Sequence, residues 1–419
     1  MFISFTASSF ALNTASLVSG AIVLKWIPPI EMGIWQVLVL VQSFIAVIRI
    51  GIPNGLNREL PFLLGQGDQE HAYRAVEVAQ WYTLVCAGIG VFAFVGAIPV
   101  LRPSGIEWQL GLVTSCLIVA TNFYLTYVFG TFRSSSDFAS LTRLQFLQSA
   151  IVLAAPVFAY FGGFVGYCIH TGLVAIVMTV CAYLLRPIKV KSRFDAQIFW
   201  RLFRTGFPLF VTNYALVLAM SFDRVILLNY GLEYVGLYAP VSAVLSAMMI
   251  LPGSIAAYVY PRMAFQFGKT QERKSLWFKL LRAYAVSFVV GLPMVLAGFI
   301  ALPALVQALL PAYVAAIPAM NLALFNGLLM STNIGITLFG SVKAWKPLFA
   351  YCGVFLSLKW IFPSVLAQGK DVLIGVAAGS LLASAVSAGV MVWMTYWVSR
   401  REVSIRPERI ITDEHALGS

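Results

Sequence analysis

Apolar residues in this chain come in near-continuous runs of about 20, the length a helix needs to cross a bilayer, rather than at the regular spacing of a half-buried soluble element. Such runs cover 3–26, 33–56, 75–98, 109–132, 143–162, 164–185, 207–229, 236–259, 283–302, 313–340, 348–366 and 373–398. The gaps are too short to hold a soluble module. The pattern therefore predicts an all-α polytopic membrane protein of about 12 transmembrane helices. The first run lacks a basic leader and a small-residue cleavage site, so it is expected to stay as a span.

The runs fall into two sets of matching grammar. Six end near Arg186, a basic stretch follows, and six more begin near Gly206. Gly33-Ile34-Trp35 opens the second run and Gly236-Leu237-Tyr238 the eighth. Pro53 and Pro61 have counterparts in Pro252 and Pro261, and Gly67-Asp68 and Gly268-Lys269 turn the loops that follow. An even number of spans per copy keeps both copies in one orientation, which predicts two six-helix bundles related by a pseudo-two-fold along the membrane normal. The expected division is a first bundle over 1–186, a basic amphipathic cytoplasmic linker over 187–205, a second bundle over 206–399 and a cytoplasmic tail over 400–419. In the linker, Phe194, Ile198, Phe199, Leu202 and Phe203 recur at helical spacing among Arg193, Arg201 and Arg204. That pattern suits either a helix lying on the inner leaflet or a plain tether. Proline removes a backbone hydrogen bond, which in lipid is tolerated only where protein or a wet cavity compensates. The four prolines read either as paired breaks around a lumen or as ordinary kinks.

Charge sets the direction of the spans. The net charge is +12, and outside the runs nearly all Lys and Arg lie in the even-numbered gaps and the tail, while the opposite gaps carry only Arg102 and Lys370. The positive-inside rule then predicts a cytoplasmic-membrane protein with both termini in the cytoplasm. With 60% apolar and 11% charged residues and a mean hydropathy of +0.87, the basic balance points to anionic lipid headgroups and not to nucleic acid. The five cysteines lie inside runs, and His71, His170 and His415 stand far apart, so no metal, cofactor or disulfide is expected. No phosphate-binding G-x-x-x-x-G-K-[ST] loop occurs.

Five charges fall inside the runs: Lys25, Arg49, Asp223, Arg224 and Lys359. Each costs about 2.5–3.5 kcal/mol near the bilayer centre. Asp223 compensates at most one cation, and it diverges from its neighbour Arg224 on a helix. The surplus positive charge calls for an anion that the chain does not supply, and a pyrophosphate fits guanidinium and ammonium partners. Gln42 shares a helical face with Arg49, as Asn213 does with Arg224 and Thr14 with Lys25. Asn326 and Asn333 form a polar stripe suited to sugar hydroxyls. The candidate substrate-binding set is thus Lys25, Gln42, Arg49, Asn213, Asp223, Arg224, Asn326, Asn333 and Lys359. The competing reading is snorkelling for the cations, most of all Lys25 and Lys359, and interhelical hydrogen bonding for each Asn.

The run Gly51-Ile52-Pro53-Asn54-Gly55-Leu56-Asn57-Arg58-Glu59-Leu60-Pro61 before Gly67-Asp68 resembles the end of the second span in oligosaccharide flippases of polysaccharide biosynthesis. Gly206-Phe207-Pro208, Asp223-Arg224 and Val235-Gly236-Leu237-Tyr238 are similar to their seventh and eighth spans. These flippases belong to the multidrug, oligosaccharidyl-lipid and polysaccharide (MOP) exporter superfamily, and the resemblance covers nearly the whole chain. It implies a rocking V-shaped pair of bundles, not an enzyme, that flips a polyprenyl-pyrophosphate-linked oligosaccharide across the cytoplasmic membrane by alternating access. Polysaccharide assembly proteins would be partners, and a coupling ion is one source of drive. Members often have fourteen spans, whereas twelve are counted here. Three alternatives stand beside it. A cation-coupled multidrug exporter of the same superfamily would need a membrane-buried carboxylate facing its cargo, and the first run has none. A glycan-processing enzyme would need paired carboxylates, and Glu107 and Asp371 stand alone on the short outward gaps. A non-transporting component of a polysaccharide export complex needs neither.

Overall fold

The apolar runs become long helices, most of which extend past the apolar window itself. The computed structural model describes residues 2–101, 105–270 and 272–400, and every regular element among them is helical. The spans are Phe2–Val23, a broken second span from Pro29 to Gly65, Gln69–Gly96, Ile106–Ser134, Phe138–Val152, Ala155–Leu185, Ala196–Leu228, Leu232–Thr270, Arg273–Leu309, a segmented tenth span from Pro311 to Ser341, Trp345–Leu366 and Val372–Arg400. Among the described residues ten helices are long and apolar enough to cross a membrane; the first span contributes the shorter apolar stretch Ala7–Val23, and the fifth has 15 residues. Large apolar side chains such as Phe92, Phe161 and Ile300 stand bare on the outside, as hydrocarbon permits and water does not. The chain is a multi-pass membrane protein.

The same helix pairings occur twice. The first span packs on the fifth as the seventh does on the eleventh; the third and fourth pair as the ninth and tenth do; the fourth and sixth pair as the tenth and twelfth do. Between the halves, the second span runs against both the eighth and the seventh.

The apolar core shows how the halves meet. At the end away from the basic loops one cluster joins them, with Ile34, Trp35 and Val37 of the second span against Leu227, Val235, Tyr238 and Tyr313. Toward the basic end the core divides. One cluster takes Leu56, Leu60, Val76, Val128 and Phe132, and another takes Leu276, Leu280, Phe339, Tyr351 and Phe355. Only the start of the seventh span crosses over there, with Leu202 buried in the first half's cluster.

Two glycine seams fix these contacts. A Cβ on Gly33 would lie 2.1 Å from the Leu232 carbonyl oxygen, and one on Gly236 would lie 1.7 Å from that of Pro29. Each glycine faces the residue four positions before the other, so the contact obeys the internal two-fold. At the basic end, a Cβ on Gly206 would lie 1.9 Å from the Gly51 oxygen, and one on Gly55 would lie 2.1 Å from that of Leu202. Only bare backbone fits at either seam, the means by which membrane helices approach most closely. Arg201 and Thr205 extend the second seam by donating to the Glu59 carboxylate at 2.9 and 3.2 Å.

Several expectations are corrected. Residues 186–195 are not helical, and 196–205 are the opening turns of the seventh span itself, capped by the Asp195 carboxylate accepting from the Gln197 and Ile198 amides. The apolar face of this stretch packs on the first half through Ile198, Phe199 and Phe203, which leaves no separate surface helix. The prolines do not mark paired breaks. The second span breaks at Ile50 (φ 36°) and Gly51 (φ 90°), with Pro53 in the first turn of the helix that follows, where its missing N–H costs nothing. Pro61 lies inside that helix, Ile52–Gly65, and does not close it. Pro252 lies within one continuous helix, Leu232–Thr270, which also contains the backbone of Pro261; the Pro261 side chain is outside the described part. The second half is interrupted elsewhere, by 3-10 turns at Pro311–Ala316 and Ser331–Gly335. Arg102, Arg401, Arg406, Arg409 and His415 lie outside the described residues.

Candidate functional site

A helix that breaks in a membrane leaves carbonyls without partners, and in lipid each must be satisfied by protein. At the break of the second span, the Ile48 carbonyl accepts from the Tyr82 hydroxyl and from Cys86 Sγ at 3.5 Å, both on the third span. The Phe44 carbonyl accepts from the Tyr214 hydroxyl of the seventh span at 3.1 Å, so the repair crosses between halves.

Arg49 ends the 3-10 turn Ala46–Arg49 at this break and projects into a cavity of about 410 Å³ between the second, fourth and seventh spans. Its Nη2 donates to Asn122 Oδ1 at 2.7 Å, its guanidinium carbon lies 5.0 Å from the Phe123 ring centre, and its Nε is buried without a partner. Gln42, Ser43, Asn54, Thr126, Asn213 and Tyr214 add amides and hydroxyls to the wall, and Val39, Phe210 and Val217 complete it. No carboxylate is among the described lining residues. The cavity thus offers one cation and a ring of neutral donors, chemistry suited to an anion carrying hydroxyls.

Gln42, Arg49 and Asn213 are therefore brought together, with Gln42 also donating to Ser115 Oγ at 3.0 Å. The other six candidates lie elsewhere. Lys25 sits in the turn after the first span, exposed, with its Nζ 5.7 Å from the Trp26 ring centre, so it snorkels to the interface. Arg224 donates from Nη1 to Gln36 Oε1 at 2.9 Å, which ties the halves together near the Gly33–Gly236 seam. Asp223 and Lys359 are sealed inside the second half, only 2% and 1% exposed. Tyr238 donates to Asp223 Oδ2 at 2.7 Å, the Ser380 hydroxyl donates to Oδ1, and Lys359 Nζ donates to the Ser380 carbonyl at 3.2 Å. Lys359 does not snorkel, because the network holds its charge in the helix core. Asn326 accepts from Ser384 at 2.6 Å and Asn333 accepts from Tyr351, both as interhelical bonds.

Asn54, Asn122, Thr126 and Tyr214 belong to the cleft without having been singled out for it. Asn122 and Thr126 stand four apart in an apolar run, which puts them on one helical face.

A second groove of about 400 Å³ runs between the first, eighth, ninth and tenth spans. It is lined by apolar residues including Leu17, Ile22, Val244, Leu305 and Leu309, with Lys25 its only charged member.

The structure aligns with a multidrug resistance MATE family transporter of the MOP superfamily in its inward-facing conformation. The TM-score is 0.77 at 16% identity, over 92% of this chain and 94% of that one. The fold is that of MOP superfamily transporters. An outward-facing structure of a MATE family transporter aligns less closely, with a TM-score of 0.62 at 16% identity over 96% and 95% of the two chains. A third neighbour is a MOP superfamily transporter from Pyrococcus furiosus. It is described as having a binding pocket of reversed polarity that suggests a different function, and aligns with a TM-score of 0.64 at 17% identity over 95% and 94%. No family model matches the sequence, and neither does any curated protein.

Proposed function

We propose that this protein flips an anionic polyprenyl-pyrophosphate-linked oligosaccharide across the cytoplasmic membrane by alternating access, for surface polysaccharide assembly. The basic loops and both termini face the cytoplasm in this reading, which matches a cleft reached from that side. The observation that carries it is the cleft around Arg49: a guanidinium with a free Nε, amides and hydroxyls around it, and no carboxylate in the wall. A diphosphate takes charge-assisted bonds from Arg49, and the neutral groups match sugar hydroxyls. The lipid tail stays in the bilayer. The drive comes from an ion gradient, the membrane potential or consumption of the product outside.

Multidrug export is the second reading, favoured by the neighbour of highest similarity quoted above, which is a multidrug transporter. A cationic drug needs a carboxylate within reach, and Asp223 is enclosed by Tyr238 and Ser380. This makes export of cations the poorer fit.

The test is to replace the native gene with Arg49→Ala and Arg49→Lys and to follow the sidedness of lipid-linked glycan with an impermeant label on spheroplasts. The alanine variant is expected to lose about 10- to 100-fold in transport rate, the value of one charge-assisted hydrogen bond, and the lysine variant less. Full transport by Arg49→Ala, or an unchanged glycan pool in a strain without the protein, would remove the anionic cargo. Loss of drug efflux on Asp223→Asn with glycan unchanged would put the second reading first.

A further inference from the structure

A third cavity, of about 510 Å³, lies apart from the cleft, between the eighth and ninth spans. It is bounded by Arg262, Lys279 and Arg282 with Tyr258 beside them, and by Ile255, Val259, Ala283 and Val286. Arg262 lies over the Tyr258 ring, 3.6 Å from its centre. Lys279 and Arg282 make no hydrogen bond or ion pair with any described residue, and no described carboxylate lines the cavity.

Helix geometry places these cations at one depth. At 1.5 Å per residue, Arg262 is about 45 Å along the helix from Leu232. Counting back from Leu309, Lys279 is about 45 Å away and Arg282 about 40 Å. The hydrocarbon core is about 30 Å thick and the whole bilayer about 40–45 Å. With Leu232 and Leu309 at one surface, all three cations stand at the headgroup level of the other. Ile255 and Val286 lie two turns or less nearer the middle, where chains begin. The groove is cationic where a phosphate sits and apolar where acyl chains start.

We infer that this groove is a binding site for an anionic phospholipid of the leaflet at the basic end, its phosphate held by Arg262, Lys279 and Arg282 and its chain laid along Ile255, Val259 and Val286. Charge complementarity selects the lipid: three cations without a counter-ion among the described residues favour a headgroup with net negative charge over a zwitterionic one. The inference does not depend on which cargo the cleft carries.

The test uses full-length protein in detergent with phosphatidylglycerol and phosphatidylcholine of identical chains, bound lipid being read by native mass spectrometry. A variant with Arg262→Gln, Lys279→Gln and Arg282→Gln is compared with one carrying Lys189→Gln, Lys191→Gln and Arg193→Gln, which removes equal charge outside the groove. Wild type and the second variant are expected to retain phosphatidylglycerol over phosphatidylcholine, and the groove variant to lose that retention about tenfold. Equal retention by both variants overturns the inference, as does equal retention of the two lipids by wild type. Displacement of phosphatidylglycerol by millimolar inorganic phosphate would mark a free-anion site and overturns it too. If the triple variant does not fold, Lys279→Gln alone is expected to lose about threefold, and no loss there has the same meaning as no loss in the triple variant.

Discussion

The second and eighth spans occupy matching places in the two halves, yet one is broken and the other runs 39 residues without interruption. The broken span turns at Ile50 and Gly51 and delivers Arg49 to the cleft. The intact one carries Pro252 and Gly253 inside a helix and contributes no residue to the cleft lining. The halves differ in the same sense in their charges: the first turns its buried cation toward a cavity, while the second folds Asp223 and Lys359 into a closed network. A proline alone does not break a membrane helix. At the break of the second span, Ile50 and Gly51 take positive φ and Tyr82 and Tyr214 donate to carbonyls beside it, whereas the eighth span has no positive-φ residue among those described.

The sharpest way to break this contrast is Asp223→Ala. Stranding Lys359 in the core is expected to cost about 3–5 kcal/mol of stability, read by unfolding in detergent, and adding Lys359→Met should recover much of it. Intact stability with lost transport would mean that the second half also presents its charge to cargo.

Gly51→Leu comes next. It places a side chain at φ 90° and a Cβ 2.7 Å from the Gly206 backbone, so a loss of about 2–4 kcal/mol is expected. At the compared position, Gly253 has nothing within 4 Å of an added Cβ and lies in a helix, so Gly253→Ala should raise stability by up to about 1 kcal/mol. Equal behaviour of the two substitutions would dissolve the distinction between the spans.

Tyr214→Phe removes the hydroxyl that reaches the Phe44 carbonyl from the seventh span, for a cost of about 1 kcal/mol. The smallest effect belongs to the loop after the broken span. There the Asp68 carboxylate, hydrogen-bonded first to the His71 side chain and then to its amide, is held below the usual carboxylate range. Its contribution is present above the ordinary carboxylate pKa and fades as pH falls through the lowered value. Faster exchange of the His71 amide in strong acid, abolished by Asp68→Ala, is the expected signature.

Much of the fold could be read from the chain because the bilayer imposes one simple demand on length and hydrophobicity. The ends were less visible: the eighth and ninth helices continue into polar residues, which hydropathy counts as loop. In the cleft, Gln42, Arg49 and Asn213 could be found because each is a polar residue in an apolar run. The same signal pointed equally to Asp223, Lys359, Asn326 and Asn333, whose partners come from other helices and cannot be seen along one strand of sequence. Polarity within a run reports that a group must be satisfied, and only packing decides whether protein or cargo satisfies it.

The crossing of Gly33 over Gly236 has a mechanical consequence. At the crossing itself two bare main chains meet with no side chain between them, while Ile34, Trp35, Tyr238 and Tyr313 pack around it, so the support is a narrow pivot clothed in apolar core. Because each glycine bears on the same relative position of its counterpart, the point of support is centred between the halves. The molecule has, in effect, a knife-edge support at the end where its core is shared, and the polar ends of its helices lie at the other.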